Sequence, residues 1–255
     1  MMIIREIWII FFISILQTAI GKLTEELIRQ NIIQQDSKHR IRMGVSNVQC
    51  DDAKTNLELD YNDSPVNYSC YQKYSLPIDE KIESIYRCHN LTKDYTPQHF
   101  CMKDSIQYDE MLPTHGDHRP LWPVYGEYLF VPPQRWLHNI EHGAIVMLYH
   151  PCADRMMVAK LKRLLTTCIR KHIITPDAIR VSIERPLVLI AWACRLEMNN
   201  FNASLALSFI KKHSLQGPEG TYPKEGQFTR HLIRKATIPF GSNYKDEIIC
   251  PFLSF

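Results

Sequence analysis

Eight cysteines, at positions 50, 70, 88, 101, 152, 168, 194 and 250, constrain this chain more than any other feature. An even count is what an oxidising compartment pairs, and the first residues point to such a compartment. Arg5 lies just before "IWIIFFISIL", an apolar run of the length of a signal-peptide core, and Ala19-Ile20-Gly21 offers small residues where a signal peptidase reads. A membrane anchor needs roughly 20 apolar residues, and Arg5-Glu6 and Gln17-Thr18 bracket a shorter stretch. Residues 1–21 therefore read as a leader cleaved before Lys22. The remainder reads as secreted, extracellular or in the secretory-pathway lumen, with no membrane span after cleavage. Later apolar runs such as "PLVLIAWAC" are too short to span and read as buried strand. Four Asn-x-Ser/Thr sequons, at Asn62, Asn67, Asn90 and Asn202, agree with a glycoprotein. Asn62 is the weakest, because Pro65 follows its serine.

The cysteine positions do not choose their partners, but they impose one condition. Five lie in the flanks (four before Met111, plus Cys250) and three lie between residues 143 and 200, so full pairing ties at least one flank cysteine to the centre. Net charge is only +3, and the basic residues are scattered without interleaved aromatics. That balance argues against a nucleic-acid partner. No protein partner is indicated.

Residues 22–42 carry a helical pattern, with Leu23, Leu27, Ile28, Ile32 and Ile33 on one side. Residues 43–110 hold four cysteines, three sequons and many turn-forming residues, and read as an irregular, disulfide-tied segment. A loop over residues 112–131 follows, where Pro113, Pro120 and Pro123 preclude a helix. Pro132-Pro133 suits a helix start, and Gly143 stops that helix. "AIVMLYH" reads as a buried strand. Residues 154–172 form the clearest helix, with Val158, Leu161, Leu165, Cys168, Ile169 and His172 on one stripe. A short strand around 179–183, a turn at Glu184-Arg185-Pro186, a strand from Leu187 and a helix over 202–213 complete the reading. The fold class is α+β: a small sheet packed with helices, in the order helix-strand-helix-strand-strand-helix, behind the disulfide-tied segment. The organisation is a leader (1–21), an N-terminal helix with a Cys-rich, glycosylated segment (22–110), and an α+β domain with a His-rich site (111–255).

That site centres on "WLHNIEHG". His138, Glu141 and His142 stand at i, i+3 and i+4 and share a helix face. Two imidazoles one turn apart can reach one zinc ion, and His-x-x-Glu-His is the spacing of inverted zinc peptidases, with Glu141 as general base. Against the peptidase stand the short helix, the helix C-terminus that favours a cationic histidine, and the lack of a downstream helix with a further carboxylate. A broader reading adds the preceding loop. His118, His138 and His142 would make a three-nitrogen site for a transition metal such as zinc or copper, with Glu141 or Asp117 beside them and His115 as a further candidate. The bland alternative has His138 and His142 bracing the helix-to-strand junction through hydrogen bonds. Cys152, near a helix start and two residues after His150, is either an activated thiol or half of a disulfide. Cys168 and Cys194 are core residues or partners in one bridge.

The run "LPTHGDH…WPVYGEY…PPQRWLHNIEHGAIVMLYHPC" resembles the domain of unknown function 3105 family. Pro113, Thr114, Gly116, His118, Gly126, Tyr128, His138, Glu141, His142 and Gly143 carry the likeness, and "ERPLVLIAWACRLEM" and "LYHPCA" are similar to its metazoan branch. The resemblance covers about residues 105–235. It favours His118 over His115, since relatives more often carry serine at position 115. It implies no activity, and it carries no growth-control role to this chain. Three functions remain open: a binding module with a His/Glu metal site, a metal-dependent hydrolase using Glu141, and a disulfide-braced extracellular interaction domain with structural histidines. Rings converging on one point favour the first two. Rings that diverge, or that bond backbone carbonyls, favour the third.

Overall fold

A computed structural model of the chain describes residues 17, 20–23, 41–220, 222 and 224–253. The chain divides into two units, residues 1–42 and 43–255. In the first, residues 17 and 20–23 are helical and residues 41 and 42, at the end of the expected 22–42 helix, are not; the rest of the expected leader and of that helix lies outside the described residues. Among the described residues no helix is long and apolar enough to cross a membrane.

The second unit is built on an open mixed sheet. In chain order its strands are β1 (Ile85–Cys88), β2 (Gly126–Tyr128), β3 (Ile145–Tyr149), β4 (His172–Pro176), β5 (Leu187–Ala191), β6 (Cys194–Met198) and β7 (Leu232–Lys235). Their order across the sheet is β1-β6-β5-β3-β4-β2-β7. The central neighbours β3, β4 and β2 run parallel, and the outer pairs are antiparallel. Helix α1 (Pro133–Glu141) lies between β2 and β3 in the chain. Parallel neighbours require a crossover, and from β3 to β4 it is helix α2 (Arg155–Cys168). Helix α3 (Ala203–His213) follows the β5–β6 hairpin.

Both faces of the sheet are covered, which explains strands that read as unbroken apolar runs rather than alternating ones. Ile145, Met147, Leu187 and Leu189 point into one core with Leu161 and Leu165 of α2 and Phe209 and Ile210 of α3. Val146, Leu148, Val188 and Ile190 point into a second core with Trp136, Leu137 and Ile140 of α1. Every residue of α1 is buried. Each large apolar side chain so placed contributes about 1.5–3 kcal/mol, so this short helix is held by packing rather than by its own propensity.

The α+β class, with helices on a small sheet, is as expected; several elements are not. The stripe through Ile169 and His172 suggests a longer α2, but the helix stops at Cys168. The Asp246 carboxylate accepts the backbone N–H groups of Arg170 (2.7 Å) and Lys171 (2.9 Å), and the Ile-Ile-Thr run that follows suits a strand. The strand expected around 179–183 is a turn, because the Asp177 side chain accepts the N–H groups of Ile179 and Arg180 and leaves Ile179 and Ile183 exposed. β6 turns back from β5 at Trp192-Ala193, with Ala193 at φ 59°. β1, β2 and β7 arise from segments whose local pattern is loop-like. They are strands because the sheet supplies partners.

All eight cysteines pair, as Cys50–Cys101, Cys70–Cys152, Cys88–Cys194 and Cys168–Cys250. Three of these bridges join flank to centre. Cys168 and Cys194 are therefore not partners of each other, and Cys152 is not a free thiol.

Candidate metal centre

Helix α1 places His138 and Glu141 one turn apart on the same face, and three long-range devices bring the remaining groups to it. First, Arg119 lies fully buried and uses both its backbone and its side chain. Its carbonyl accepts the His138 Nδ1–H (2.7 Å), and its N–H donates to the Gln134 carbonyl (2.8 Å). Its guanidinium pairs with Asp60 (2.9 Å) and reaches the Cys101 carbonyl (2.5 Å). Second, Arg135 on α1 grips Asp51 (2.5 Å) and the Leu121 carbonyl (2.8 Å), while Cys50–Cys101 ties the segments holding Asp51 and His99 together. Third, residues 98–100 lie beside the loop at 117–118 as a short parallel bridge. Phe100 N–H donates to the His118 carbonyl (3.0 Å), His118 N–H donates to the Gln98 carbonyl (3.1 Å), and Asp117 accepts the Gln98 N–H (2.6 Å).

The result is a grouping of His99, His118, His138 and Glu141 whose candidate ligand atoms all lie within 4.8 Å of one another. Their exposures are 3, 0, 0 and 2 %. The His138 ring stacks on His99 at 4.8 Å and tilts against His118 at 4.5 Å, with Trp122 packed at 4.7 Å. The His118 Nδ1–H donates to the Gly116 carbonyl (2.9 Å) and the His138 Nδ1–H to Arg119. A neutral imidazole that donates from Nδ1 presents a lone pair at Nε2. His118 Nε2 and Glu141 Oε2 stand 3.0 Å apart, yet neither is aligned in a hydrogen bond, and His138 Nε2 likewise has no hydrogen-bond partner. Burial, reinforced by the neighbouring imidazoles, holds His138 well below the ordinary histidine range. Such a group is a neutral ligand, not a cation. This His/Glu cluster could coordinate a metal ion.

Convergence and carbonyl bonding, which the sequence poses as alternatives, occur together here. A carbonyl on one ring nitrogen fixes the tautomer and aims the other, as around metal-bound histidines.

His142, the expected third nitrogen, lies outside that grouping although its ring stands 4.7 Å from that of His138. It is the residue that closes α1, with φ −80° and ψ 14°, and its Nε2–H donates to Glu219 (3.1 Å) while Tyr222 stacks on the ring at 4.5 Å. Burial lowers its pKa against the opposing pull of Glu219, so desolvation outweighs the helix-end effect that favours a cation. The C-terminus of α1 is instead met by Lys171, whose ammonium donates to the carbonyls of His142 (3.1 Å), Gly220 (2.9 Å) and Tyr222 (3.0 Å). Gly143 has φ 78°, and a Cβ there would stand 2.5 Å from Leu215 Cα. The glycine is thus required by both the stop and the packing.

The fourth member, His99, has no spacing signal in "TPQHFC"; its one hint is proximity to Cys101, a residue pinned by a bridge. His115 lies outside the grouping, with its ring 5.0 Å from His89, and Asp117 is occupied with the Gln98 backbone. Cys88 and Cys194 also lie near His213, but their disulfide leaves no thiolate there. Asn62, Asn90 and Asn202 are exposed, whereas Asn67 is 9 % exposed; Asn202 caps α3 through the Leu205 N–H (3.0 Å).

Residues 99–226 match the family described as "Protein of unknown function (DUF3105)", a span that opens at His99 and contains the whole cluster. The rat (Rattus norvegicus) "Tumor protein p53-inducible protein 13" is 32 % identical over 95 residues, which are 36 % of this chain and 24 % of that protein. The chain therefore spans about a quarter of that relative's length. No solved structure matches.

Proposed function

The chain belongs to the DUF3105 family, and from that premise we propose that it is a secreted or lumenal binding module whose buried cluster holds one transition-metal ion, zinc or copper. The proposed ligands are His118, His138, Glu141 and His99. The observation that carries this reading is the close approach of His118 Nε2 and Glu141 Oε2, 3.0 Å apart in a buried site with neither atom aligned in a hydrogen bond. A metal ion between them would take a lone pair from each. Two ligands about 2.1 Å from one ion stand about 3.0–3.4 Å apart at angles between square and tetrahedral. No spacing in the set exceeds 4.8 Å, so none has to close by more than about 1.8 Å on binding.

Binding is favoured over hydrolysis because Glu141 belongs to the ligand set and is not free to act as a base on a bound water. The four disulfides support the oxidising compartment that the leader suggests. The alternative of a braced interaction domain with structural histidines rests on the backbone carbonyls at His118 and His138. It gives no use to the unbonded Nε2 of His138, which meets His118 and Glu141 in the same grouping.

The test is metal content of the secreted protein, with His138→Ala beside it. We expect one ion per chain in wild type and none in the variant, and a rise in Tm when zinc or copper is added to stripped wild type. Wild-type protein free of metal and indifferent to both ions would leave only the structural reading.

A further inference from the structure

The basic residues are scattered along the sequence, but the fold gathers a group of them on one surface. Helix α2 buries Val158, Leu161 and Leu165, and its opposite side carries Arg155, Lys160 and Arg163, all exposed. Over its 14 residues the helix has no Asp or Glu. Lys162, at the edge of this side, reaches Glu127 of β2 (2.5 Å). Glu127 stands opposite Arg234 of β7 in the strand register. Residues opposite each other on antiparallel strands project to the same side of a sheet, so Arg234, also exposed, extends the surface of α2. Along the helix axis Arg155 and Arg163 stand about 12 Å apart, at 1.5 Å per residue.

Two observations set this surface apart. Among the described residues after Met43, every arginine elsewhere pairs with a carboxylate, whereas Arg155, Arg163 and Arg234 form no ion pair with any described residue. The carboxylates within the surface are Asp154 and Glu127. Asp154 is committed to the N–H groups of Met156 and Met157, and Glu127 to Lys162. Five cations against two carboxylates leave a surplus of three, which equals the formal net charge of the entire sequence, +3. Outside this surface the charges of the chain cancel.

Charge complementarity names the occupant. A guanidinium fork matches the paired oxygens of a tetrahedral oxyanion, and three such forks spread over one surface suit a polymer that repeats the anion rather than a single small one. The exposed side of α2 offers no aromatic side chain on which a base could stack, and Met156 alone as a large apolar group to enter a bilayer. The four disulfides suit an oxidising compartment, where the polymer of this chemistry is a sulfated polysaccharide.

We infer that the exposed side of α2, extended by Arg234, is a docking surface for a sulfated polysaccharide. Sulfate groups replace water on Arg155, Lys160, Arg163 and Arg234, and the release of counterions drives binding, which weakens as salt rises. None of these residues belongs to the buried His/Glu cluster, so the inference does not depend on a bound metal.

The experiment applies the full secreted chain to heparin-coupled resin and to a sulfonate cation-exchange resin and elutes each with a salt gradient. We expect wild type to need more salt on heparin than on sulfonate. Lys160→Gln/Arg163→Gln/Arg234→Gln is compared with Lys54→Gln/Lys81→Gln/Lys103→Gln, which removes the same charge from exposed positions before residue 110. In titrations with soluble heparin at about 0.15 M salt, we expect the first variant to bind at least about tenfold more weakly than wild type and the second to stay within about threefold of it. Equal losses overturn the inference, because net charge alone then accounts for retention. Wild type that elutes from heparin no later than from sulfonate also overturns it. So does tighter binding to vesicles of phosphatidylserine and phosphatidylcholine than to heparin, which would assign the surface to a membrane. Should the triple variant fail to fold, Arg163→Gln alone is read in its place: earlier elution from heparin than wild type supports the surface, and unchanged elution overturns it.

Discussion

Replacing Glu141 with Gln separates a metal ligand from an ion-pair partner, because the two roles predict opposite signs in metal-free protein. On the ligand reading His118 Nε2 keeps its lone pair in the stripped protein, so it and Glu141 Oε2 face each other as acceptors 3.0 Å apart, each 2 % exposed or less as a residue. A glutamine amide turns one of them into a donor. The new bond satisfies both atoms and removes a buried charge, which is worth about 1–3 kcal/mol. For a unit of this size that is a rise of about 2–4 °C in Tm per kcal/mol. With zinc or copper present the sign reverses. Gln offers a neutral oxygen in place of a carboxylate, and weakening of the metal by about 10–100-fold takes about 1.4–2.7 kcal/mol from the metal-dependent stabilisation. The assay is chemical or thermal unfolding of wild type and Glu141→Gln, each with chelator and with saturating metal. The reasoning fails if the variant is less stable than wild type by about 3–5 kcal/mol in chelator, the penalty for breaking a buried ion pair by removing one partner.

Three further outcomes follow from the same structure. Burial of His172 against the Ile169 carbonyl (2.7 Å) lowers its pKa from 6.5 to about 4. Above pH 6.5 both native and unfolded chains hold it neutral; as pH falls the unfolded chain takes up a proton that the native one refuses, so about 3 kcal/mol of stability is lost between pH 6.5 and 4, and unfolding of His172→Phe followed across that range should lack this part of the slope. Removing the Cys50–Cys101 bridge, which closes a separation of 51 residues, with Cys50→Ala/Cys101→Ala should cost about 4 kcal/mol by loop entropy and weaken metal binding by loosening His99, as titration of the variant would detect. Gly143→Ala must place a Cβ 2.5 Å from Leu215 Cα at φ 78°; a loss of at least about 2 kcal/mol is expected, and a neutral result in urea unfolding would show that the 215–220 segment is free to move.

How much of this is legible from residues alone depends on the range of the interactions involved. Helix α1, its stop at Gly143 and strand β3 follow from prolines, a glycine and an apolar run, all acting within a few residues. The grouping of His138 with Glu141 follows from helical spacing. The same rule does not fix His142: at i+4 it falls on the last, non-helical position, and its Nε2 pairs with Glu219, a carboxylate 77 positions away. His172 and Ile169 fit the stripe of α2 as well as they fit a strand, and Asp246 decides the matter from 75 or more residues downstream.

By itself, then, the sequence determined the two-sided burial of the central strands, the amphipathic stripe of α2, and a histidine-rich loop followed by a helix that carries His138 and Glu141. Only the tertiary structure decided which cysteines pair, across separations of 51 to 106 residues, and which imidazoles share a point. Apolar periodicity is written into neighbouring residues and survives any arrangement of the rest of the chain. The meeting of His99 with His118, by contrast, exists only after Arg119, Asp60, Arg135 and Asp51 have lost their water and found each other in the interior.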